Sequence, residues 1–286
     1  MHFALFGINL GPCAEPATAR RVALAAEQAG LESLWTGEHV VLPDPQVPPS
    51  PSPPEVPFLD PAVSLAFVAA ATTTIRLGTG IIILPQRNPL VLAKELASVD
   101  VLSGGRLIFG LGIGYLKPEF DALGVPFDDK GPRAMDYLDA MLALWTMPRP
   151  AHEGRFVRFA GIQAFPRPVQ KPHPPIVIGG HTPPAFRRAV ERANGWYGFA
   201  LDTEAVAACL AGLTAAARAV SRPASLGRLE ISVTPRGKLD AAAVGRYAAL
   251  GVERLIVYRP GATAADALAS VDGVAALRRE CERAGA

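Results

Sequence analysis

Two neighbouring ionisable residues, Glu38 and His39, directly follow the short apolar segment SLWTG at 33–37. Since this segment is typical of a buried strand, both side chains are expected where that strand ends. A histidine there can supply or accept a proton near neutral pH, and a carboxylate beside it can join in acid–base chemistry. Glu38 and His39 are therefore candidate catalytic residues. The structural alternative is that His39 hydrogen-bonds a rim loop and Glu38 pairs with a surface arginine.

Glycines alternate with apolar residues in the segment FGLGIGY at 109–115, at Gly110, Gly112 and Gly114. Glycine leaves the backbone bare, so a flat or bulky group can approach the strand closely. Small residues packed in a protein interior would give the same pattern. They do not explain why the last glycine immediately precedes Tyr115, at the rim.

The segment PIVIGGHTPPAFRR at 175–188 reads as a buried strand, a glycine pair and the beginning of a helix. Unpaired N–H groups and the positive end of a helix would converge there, as the binding of an anion such as phosphate requires. His181 follows the glycine pair and is expected to touch the anion. The alternative is a tight turn with Thr182 as the helix N-cap and proline at the first helical position.

Short apolar segments alternate along the whole chain with longer segments of helical periodicity, which predicts βα units and a parallel sheet. The predicted strands are 3–8, 33–37, 76–83, 106–112, 175–179, 196–200, 229–234 and 254–258. The predicted helices are 16–29, 60–73, 89–103, 132–146, 183–194, 203–220, 240–250 and 264–284. Eight such units predict an α/β fold of the (β/α)8 TIM-barrel type. A doubly wound open sheet is the alternative, because a strand count does not show closure.

Two segments interrupt the alternation and are interpreted as insertion loops of a single domain, 1–286. Residues 42–58 are so rich in proline that they favour neither helix nor central strand, and they leave the end of the second predicted strand. In a barrel this places them on the C-terminal face, as a lid or as a solvated loop. In 148–174, alternation around Ala160-Gly161 predicts a β-hairpin.

The composition argues against several classes of function. The formal net charge is +2, from 28 basic and 26 acidic residues, and no basic stripe is present, so a nucleic-acid partner is not expected. No serine lies in a GxSxG motif, which disfavours a hydrolase. The segment GLGIGY does not match a dinucleotide-binding GxGxxG motif, because its third glycine position is wrong and it does not open the first βα unit.

The three cysteines, Cys13, Cys209 and Cys281, are far apart and have no CxxC spacing or neighbouring histidines. Neither a disulfide framework nor a metal site is predicted. A reducing cytoplasm fits this cysteine usage best. The segment MHFALFGINLG lacks a basic n-region, and no window is apolar over the roughly 20 residues that a membrane span needs. We therefore expect a cytoplasmic protein without a membrane partner.

Taken together, the segments resemble the luciferase-like monooxygenase superfamily, and more closely its branch that uses the deazaflavin coenzyme F420. The matching segments are AEQAGLESLWTGEHVVLP, TTTIRLGTGIIILPQRNPLVLAKELASVDVLSGGRLIFGLGIGYLKPEFDALG, HEGRFVRF, PRPVQKPHPPIVIGG and RANGWYG. They extend over nearly the whole chain. The most specific block runs from Asn88-Pro89 through Asp100, Ser103 and Gly104 to Arg106.

The resemblance implies a barrel that binds a flavin-like ring at its C-terminal mouth, with the cofactor phosphate on the loop after the fifth strand. It also implies a non-proline cis peptide in a bulge of the third strand, which the GTGI match places at Gly80-Ile81. The residues implied to contact the cofactor are Thr79, Gly80, Ile81, Gly112, Ile113, Gly114, Ile178, Gly179, Gly180, His181 and Thr182.

The same resemblance assigns His39 to the position beside the reactive carbon, as a proton donor or charge stabiliser. Some similar dehydrogenases carry a glutamate after the last glycine of strand four, where this chain has Tyr115. Two interpretations stay open. Either the Tyr115 hydroxyl supplies the acid, or the role is absent and His39 alone serves the reaction.

The expected function is an oxidoreductase that transfers a hydride between coenzyme F420 and a small organic substrate. One alternative is an FMN-dependent two-component monooxygenase supplied by a partner flavin reductase; an F420 reductase is the corresponding partner for the deazaflavin. The other alternative is a flavin-binding protein without catalysis. The resemblance further implies a homodimer formed through the second and third helices.

Overall fold

Eight parallel strands close into a barrel in the computed structural model, which describes residues 1–259 and 261–284. The strands are β1 His2–Phe6, β2 Ser33–Thr36, β3 Arg76–Thr79 with its continuation β4 Ile82–Ile83, β5 Leu107–Gly112, β8 Ile176–Gly179, β9 Gly195–Leu201, β10 Glu230–Pro235 and β11 Arg254–Val257. Pairing of β3 with β5 completes the circle, with Leu77 opposite Leu107. The predicted TIM barrel is confirmed, and the alternative of an open sheet is wrong.

Helices surround the barrel and connect its strands. They are α1 Pro16–Gln28, α2 Pro61–Ala71, α3 Pro89–Leu102, α4 Lys117–Ala122, α5 Lys130–Thr146, α6 Pro183–Arg192, α7 Thr203–Ala219, α8 Ala241–Ala249 and α9 Ala264–Ala284. Local chemistry explains where several begin. The Asp60 carboxylate accepts hydrogen bonds from two backbone N–H groups of the first turn of α2, and the Asn88 side chain does the same for α3. In each case proline follows at the first helical position.

The structure differs from the predicted elements at two places. Helix α4 was not predicted, because it has six residues and no side-chain cap. The hairpin lies earlier than expected: β6 His152–Glu153 pairs with β7 Arg158–Phe159, so the turn is at 154–157 and not around 160–161. Asp136 of α5 explains this position, since its carboxylate contacts His152 and accepts the N–H groups of 156 and 157.

Side chains fill both surfaces of the barrel wall. Alternate residues of β2 show the division, because Leu34 packs in the layer between strands and helices whereas Trp35 packs inside the barrel. At the N-terminal end of the strands the interior is closed by Arg254, which is almost fully buried and pairs with Glu32 and Glu230. Any binding site for a small molecule in the barrel is therefore at the opposite, C-terminal end.

No helix among the described residues combines the length and apolar character needed to cross a membrane. The cytoplasmic location stays a prediction. The predicted domain, 1–286, also stays a prediction, and its residues 260, 285 and 286 lie outside the described part of the chain.

Candidate active site

Three of the predicted cofactor segments meet at the C-terminal mouth. The Gly80-Ile81 peptide is cis, as predicted, and separates β3 from β4. The Ile81 side chain covers two predicted glycines: a Cβ on Gly179 would lie 3.3 Å from it, and a Cβ on Gly112 would collide with it. The bulge, the end of β5 and the end of β8 therefore form one continuous surface.

A hydrogen-bonded chain of three side chains stands beside this surface. His39 Nδ1 lies 3.2 Å from Glu119 Oε2, and His39 Nε2 lies 3.3 Å from the Tyr115 hydroxyl. The structure thus brings together two of the predicted catalytic residues and adds a carboxylate on α4. Tyr115 is half exposed whereas Glu119 is buried, so the chain leads from the protein interior to the mouth.

Glu119 is suited to hold His39 in one orientation. Its second oxygen, Oε1, accepts the N–H of Val40 at 2.6 Å, so the carboxylate is fixed. Burial alone would raise the pKa of Glu119, but the hydrogen bonds from His39 and Val40 hold that pKa below its ordinary value. An ionised Glu119 accepts a hydrogen bond from the N–H at His39 Nδ1. This leaves Nε2 to exchange a proton with Tyr115.

Glu38 does not join this chain. One of its oxygens accepts Arg87 Nε at 2.9 Å, and the other accepts the N–H of Ile83. Arg87 is also 2.7 Å from Asp60, the cap of α2. The structure therefore shows the structural alternative for Glu38, an ion pair with an arginine, in which it braces the segment after the bulge.

The loop after β8 has hydrogen-bond donors without acceptors among the described residues, but fewer backbone N–H groups than the start of a helix normally provides. Pro183 and Pro184 occupy the first two positions of α6 and have no N–H groups. The N–H groups of His181 and Thr182, and the Thr182 hydroxyl, donate to no group within 1–259 and 261–284. Three donors are therefore available to an anion, all from the loop and none from the helix.

Gly180 is required in this loop, because its φ is +126° and a Cβ would lie 2.9 Å from that of Ala185. His181 is fixed from the other side, since its Nε2 accepts the N–H of Phe199 at 3.1 Å. Partial burial and the nearby Arg236 lower the pKa of His181. The neutral ring then carries its proton on Nδ1 and can donate it to a bound anion.

Aromatic side chains form the wall of the mouth on the side of β1, β9 and β11. The ring of Phe6 lies 5.2 Å from those of Phe199 and Tyr258, and the last two are more than one third exposed. A cavity of about 150 Å³ lies next to this wall, between the end of β1, α9 and the proline-rich loop, and is lined in part by Phe6, Tyr258 and Phe58. The Phe58 ring also contacts that of His39. This side of the mouth suits an apolar molecule.

The other predicted cofactor residues have different surroundings. The Thr79 hydroxyl is buried and bonded to both the N–H and the carbonyl of Gly110, so it joins two strands. Ile178 packs in the layer under the helices, and Ile113 packs against that layer. Gly114 has a φ of +75° and leaves room for neighbouring side chains. The side chains of Thr79 and Ile178 are thus not open to a ligand.

The residues present fit a flavin or deazaflavin. The Ile81 side chain, packed on Gly112 and Gly179, gives an apolar surface for a ring, and the donors at 181–182 are suited to a phosphate. Missing from sequence reasoning was Glu119. Its signal was the segment LKPEF directly after Tyr115, in which a glutamate at the third position of a short helix can turn back towards the strand ends.

Comparisons with known proteins place the chain in a family. The chain matches the family model described as luciferase-like monooxygenase over residues 1–279. It is 32% identical over 292 residues to an uncharacterised protein of Mycobacterium tuberculosis, covering 98% of this chain and 100% of that one. It is 30% identical over 168 residues to the oxygenase component of a flavin-dependent trigonelline monooxygenase of Acinetobacter baylyi, covering 58% of this chain and 43% of that one.

Two solved structures show the same fold. The monooxygenase RslO1 from Streptomyces bottropensis gives a TM-score of 0.76 at 23% identity, covering 97% of this chain and 98% of that one. An F420-dependent secondary alcohol dehydrogenase, solved with an F420-acetone adduct, gives a TM-score of 0.78 at 14% identity, covering 98% of this chain and 97% of that one. With a family model that spans nearly the whole sequence, the chain belongs to the luciferase-like monooxygenase family.

Proposed function

We propose that this protein is an oxidoreductase that uses coenzyme F420 to transfer a hydride to or from a small organic substrate. The observation that carries the proposal is the chain Glu119–His39–Tyr115, which ends three residues after Gly112, the glycine that Ile81 of the cis peptide covers. The deazaflavin, when bound, supplies or accepts the hydride. Hydride transfer to the substrate requires a proton as well, and hydride transfer from it releases one; the chain of side chains supplies or accepts that proton.

In this proposal His39 is the residue that holds the proton, at Nε2. Glu119 is a positioning residue, because it touches His39 Nδ1 and not the reacting atoms. The half-exposed Tyr115 hydroxyl passes the proton between His39 and solvent or substrate. Of the two interpretations of Tyr115, the structure favours the one in which its hydroxyl takes part.

The remaining residues bind and orient. The loop donors at His181 and Thr182 hold the phosphate, and Ile81 supports the ring. The aromatic wall and the proline-rich loop exclude water from the mouth, so that an apolar substrate can lie over the ring.

A second candidate is an FMN-dependent monooxygenase that receives reduced FMN from a partner reductase. The similarity to the trigonelline monooxygenase component favours it, and the loop donors suit the FMN phosphate equally well. A flavin-binding protein without catalysis is the third candidate. The hydrogen-bonded His39 argues against it, since storage of a flavin needs no proton donor.

Parallel titrations of the purified apoprotein with F420 and with FMN test the proposal, with cofactor fluorescence as the readout. We expect micromolar or tighter binding of F420 and weaker binding of FMN. The variant His39→Asn, which keeps a polar side chain of similar size, should bind F420 as the wild type does and lose hydride transfer. Binding of FMN without F420 would contradict the proposal and support the monooxygenase.

A further inference from the structure

Arg188 is a cation without an anion. Helix α6 carries two other arginines, and both are paired: Arg187 with Glu191 on the same helix, and Arg192 with Asp139 of α5. The Nε of Arg188 is buried and has no hydrogen-bond partner within the described residues. Burial lowers the pKa of this guanidinium, and no carboxylate opposes that effect. The side chain as a whole is partly exposed, so its terminal nitrogens stay open to an anion while Nε is cut off from water.

The position of Arg188 relates it to the loop after β8. Residues four apart share one side of a helix, so Arg188 lies on the flank from which Arg192 reaches α5. One guanidinium nitrogen of Arg188 would lie 3.6 Å from a Cβ on Gly131, at the start of α5. Helical side chains lean towards the helix N-terminus, so the guanidinium extends towards the level of 179–182.

We propose that Arg188 binds a carboxylate of the acidic chain that continues beyond the phosphate of the cofactor. This inference rests on the proposed function, in which the phosphate lies on the 179–182 loop. The loop donors serve the phosphate, whereas Arg188 stands on the second turn of α6 and reaches the start of α5. The proposal requires the extension to leave the phosphate towards solvent between these helices, where the guanidinium can bind its carboxylate through two parallel hydrogen bonds.

The proposal makes Arg188 a determinant of cofactor choice. Coenzyme F420 ends in a polyglutamate, whereas FMN ends at its phosphate. Arg188 therefore adds affinity for F420 and none for FMN, although the ring surface and the phosphate loop accept either molecule.

The test compares two ligands of the purified apoprotein: F420, and the same deazaflavin ending at the phosphate. Dissociation constants are measured by cofactor fluorescence for the wild type and for Arg188→Gln, Arg188→Lys and the matched control Arg187→Gln. We expect Arg188→Gln to weaken F420 binding about tenfold or more and binding of the truncated ligand less than about twofold. Arg188→Lys should keep part of the affinity, and Arg187→Gln should change neither constant.

Salt supplies a second readout. The advantage of F420 over the truncated ligand should shrink with rising ionic strength in the wild type and be small at all ionic strengths in Arg188→Gln. If Arg188→Gln weakens the binding of both ligands equally, Arg188 has a phosphate-binding or structural role and the proposal is wrong. The proposal is also wrong if this variant weakens the binding of neither ligand. If the wild type binds both deazaflavins, the proposed function survives those outcomes; if it binds neither, both proposals fail.

Discussion

At the scale of single residues, Glu119 is the side chain on which the geometry of His39 depends. We expect Glu119→Gln to lower kcat by about ten- to a hundredfold, less than the loss of His39 itself, which general acid–base catalysis puts at about 10²–10⁴-fold. The reason is that an amide can present its NH2 group to His39 Nδ1 and so favour the wrong tautomer. Steady-state kinetics with saturating cofactor measure the effect.

The same substitution should leave the dissociation constant of the cofactor within about twofold, because Glu119 lies behind His39 and not on the ring surface. Thermal unfolding of the variant controls for any change in stability, since the amide oxygen can keep the hydrogen bond from Val40. An unchanged kcat in a folded variant would show that the hydrogen bond to His39 has no catalytic importance.

His181 gives a prediction about pH. Its pKa in the folded protein lies below the ordinary value of 6.5, so the folded state binds fewer protons than the unfolded state below that pH. Its contribution to stability is therefore complete above about pH 6.5 and is lost as the pH falls towards the folded pKa. The bond from the Phe199 N–H to Nε2 is what protonation would break.

Urea unfolding of the wild type and of His181→Asn at about pH 7.5 and about pH 5 tests this. Asparagine can still accept the Phe199 N–H through its side-chain oxygen and does not titrate. We expect the wild type to lose more stability than the variant as the pH falls. Parallel losses would mean that His181 is not coupled to folding.

Sequence reasoning located His39 and Tyr115 after the ends of strands because each follows a strong strand pattern, and their catalytic roles stay a prediction. It could not choose between a catalytic and a paired Glu38, because the choice depends on Arg87, which is 49 residues away. Such pairings are tertiary and leave no local pattern. Glu119 was missed because the short α4 that carries it has no cap.

At the scale of elements, the alternating glycines of β5 have different neighbours and should respond differently to substitution. A Cβ on Gly112 would meet the flexible end of the Ile81 side chain, whereas a Cβ on Gly110 would meet the Thr79 carbonyl of the backbone. We expect Gly112→Ala to fold and to bind the cofactor about tenfold more weakly, because Ile81 is displaced towards the ring surface. Gly110→Ala should cost about 1–3 kcal/mol of stability or more.

Thermal unfolding and cofactor titration of the two variants, side by side, separate these effects. Normal cofactor binding by Gly112→Ala would contradict the proposal that Ile81 supports the cofactor ring. The predicted strands were confirmed to within a few residues because each is a short apolar run bounded by turn residues. The hairpin was displaced because Asp136, outside the segment, fixes its turn.

At the scale of the whole molecule, an apolar surface on α2 and α3 supports the predicted homodimer. Val63 and Phe67, one helical turn apart on α2, are 68% and 44% exposed, and Val91 of the neighbouring α3 is 55% exposed. A second copy of the chain would cover them. We expect a dimer by light scattering, and a monomer after Val63→Glu and Phe67→Glu together.

The control for assembly is Val169→Glu, which places the same charge on an exposed apolar residue of the proline-rich return before β8. It should leave the dimer intact. A wild-type protein that is monomeric at all concentrations would contradict the prediction. The barrel itself was predictable from eight repeated units, whereas assembly was not, since exposure of a helix face is known only once the helices are packed.

The buried cluster of Arg254 with Glu32 and Glu230 has a kinetic consequence. Because charged side chains close one end of the barrel, ligands enter and leave only at the other end. If the cofactor lies deeper and the substrate lies over it, the cofactor must bind first and dissociate last. Turnover should then follow a compulsory order, with the coenzyme as the leading reactant and the organic compound as the second.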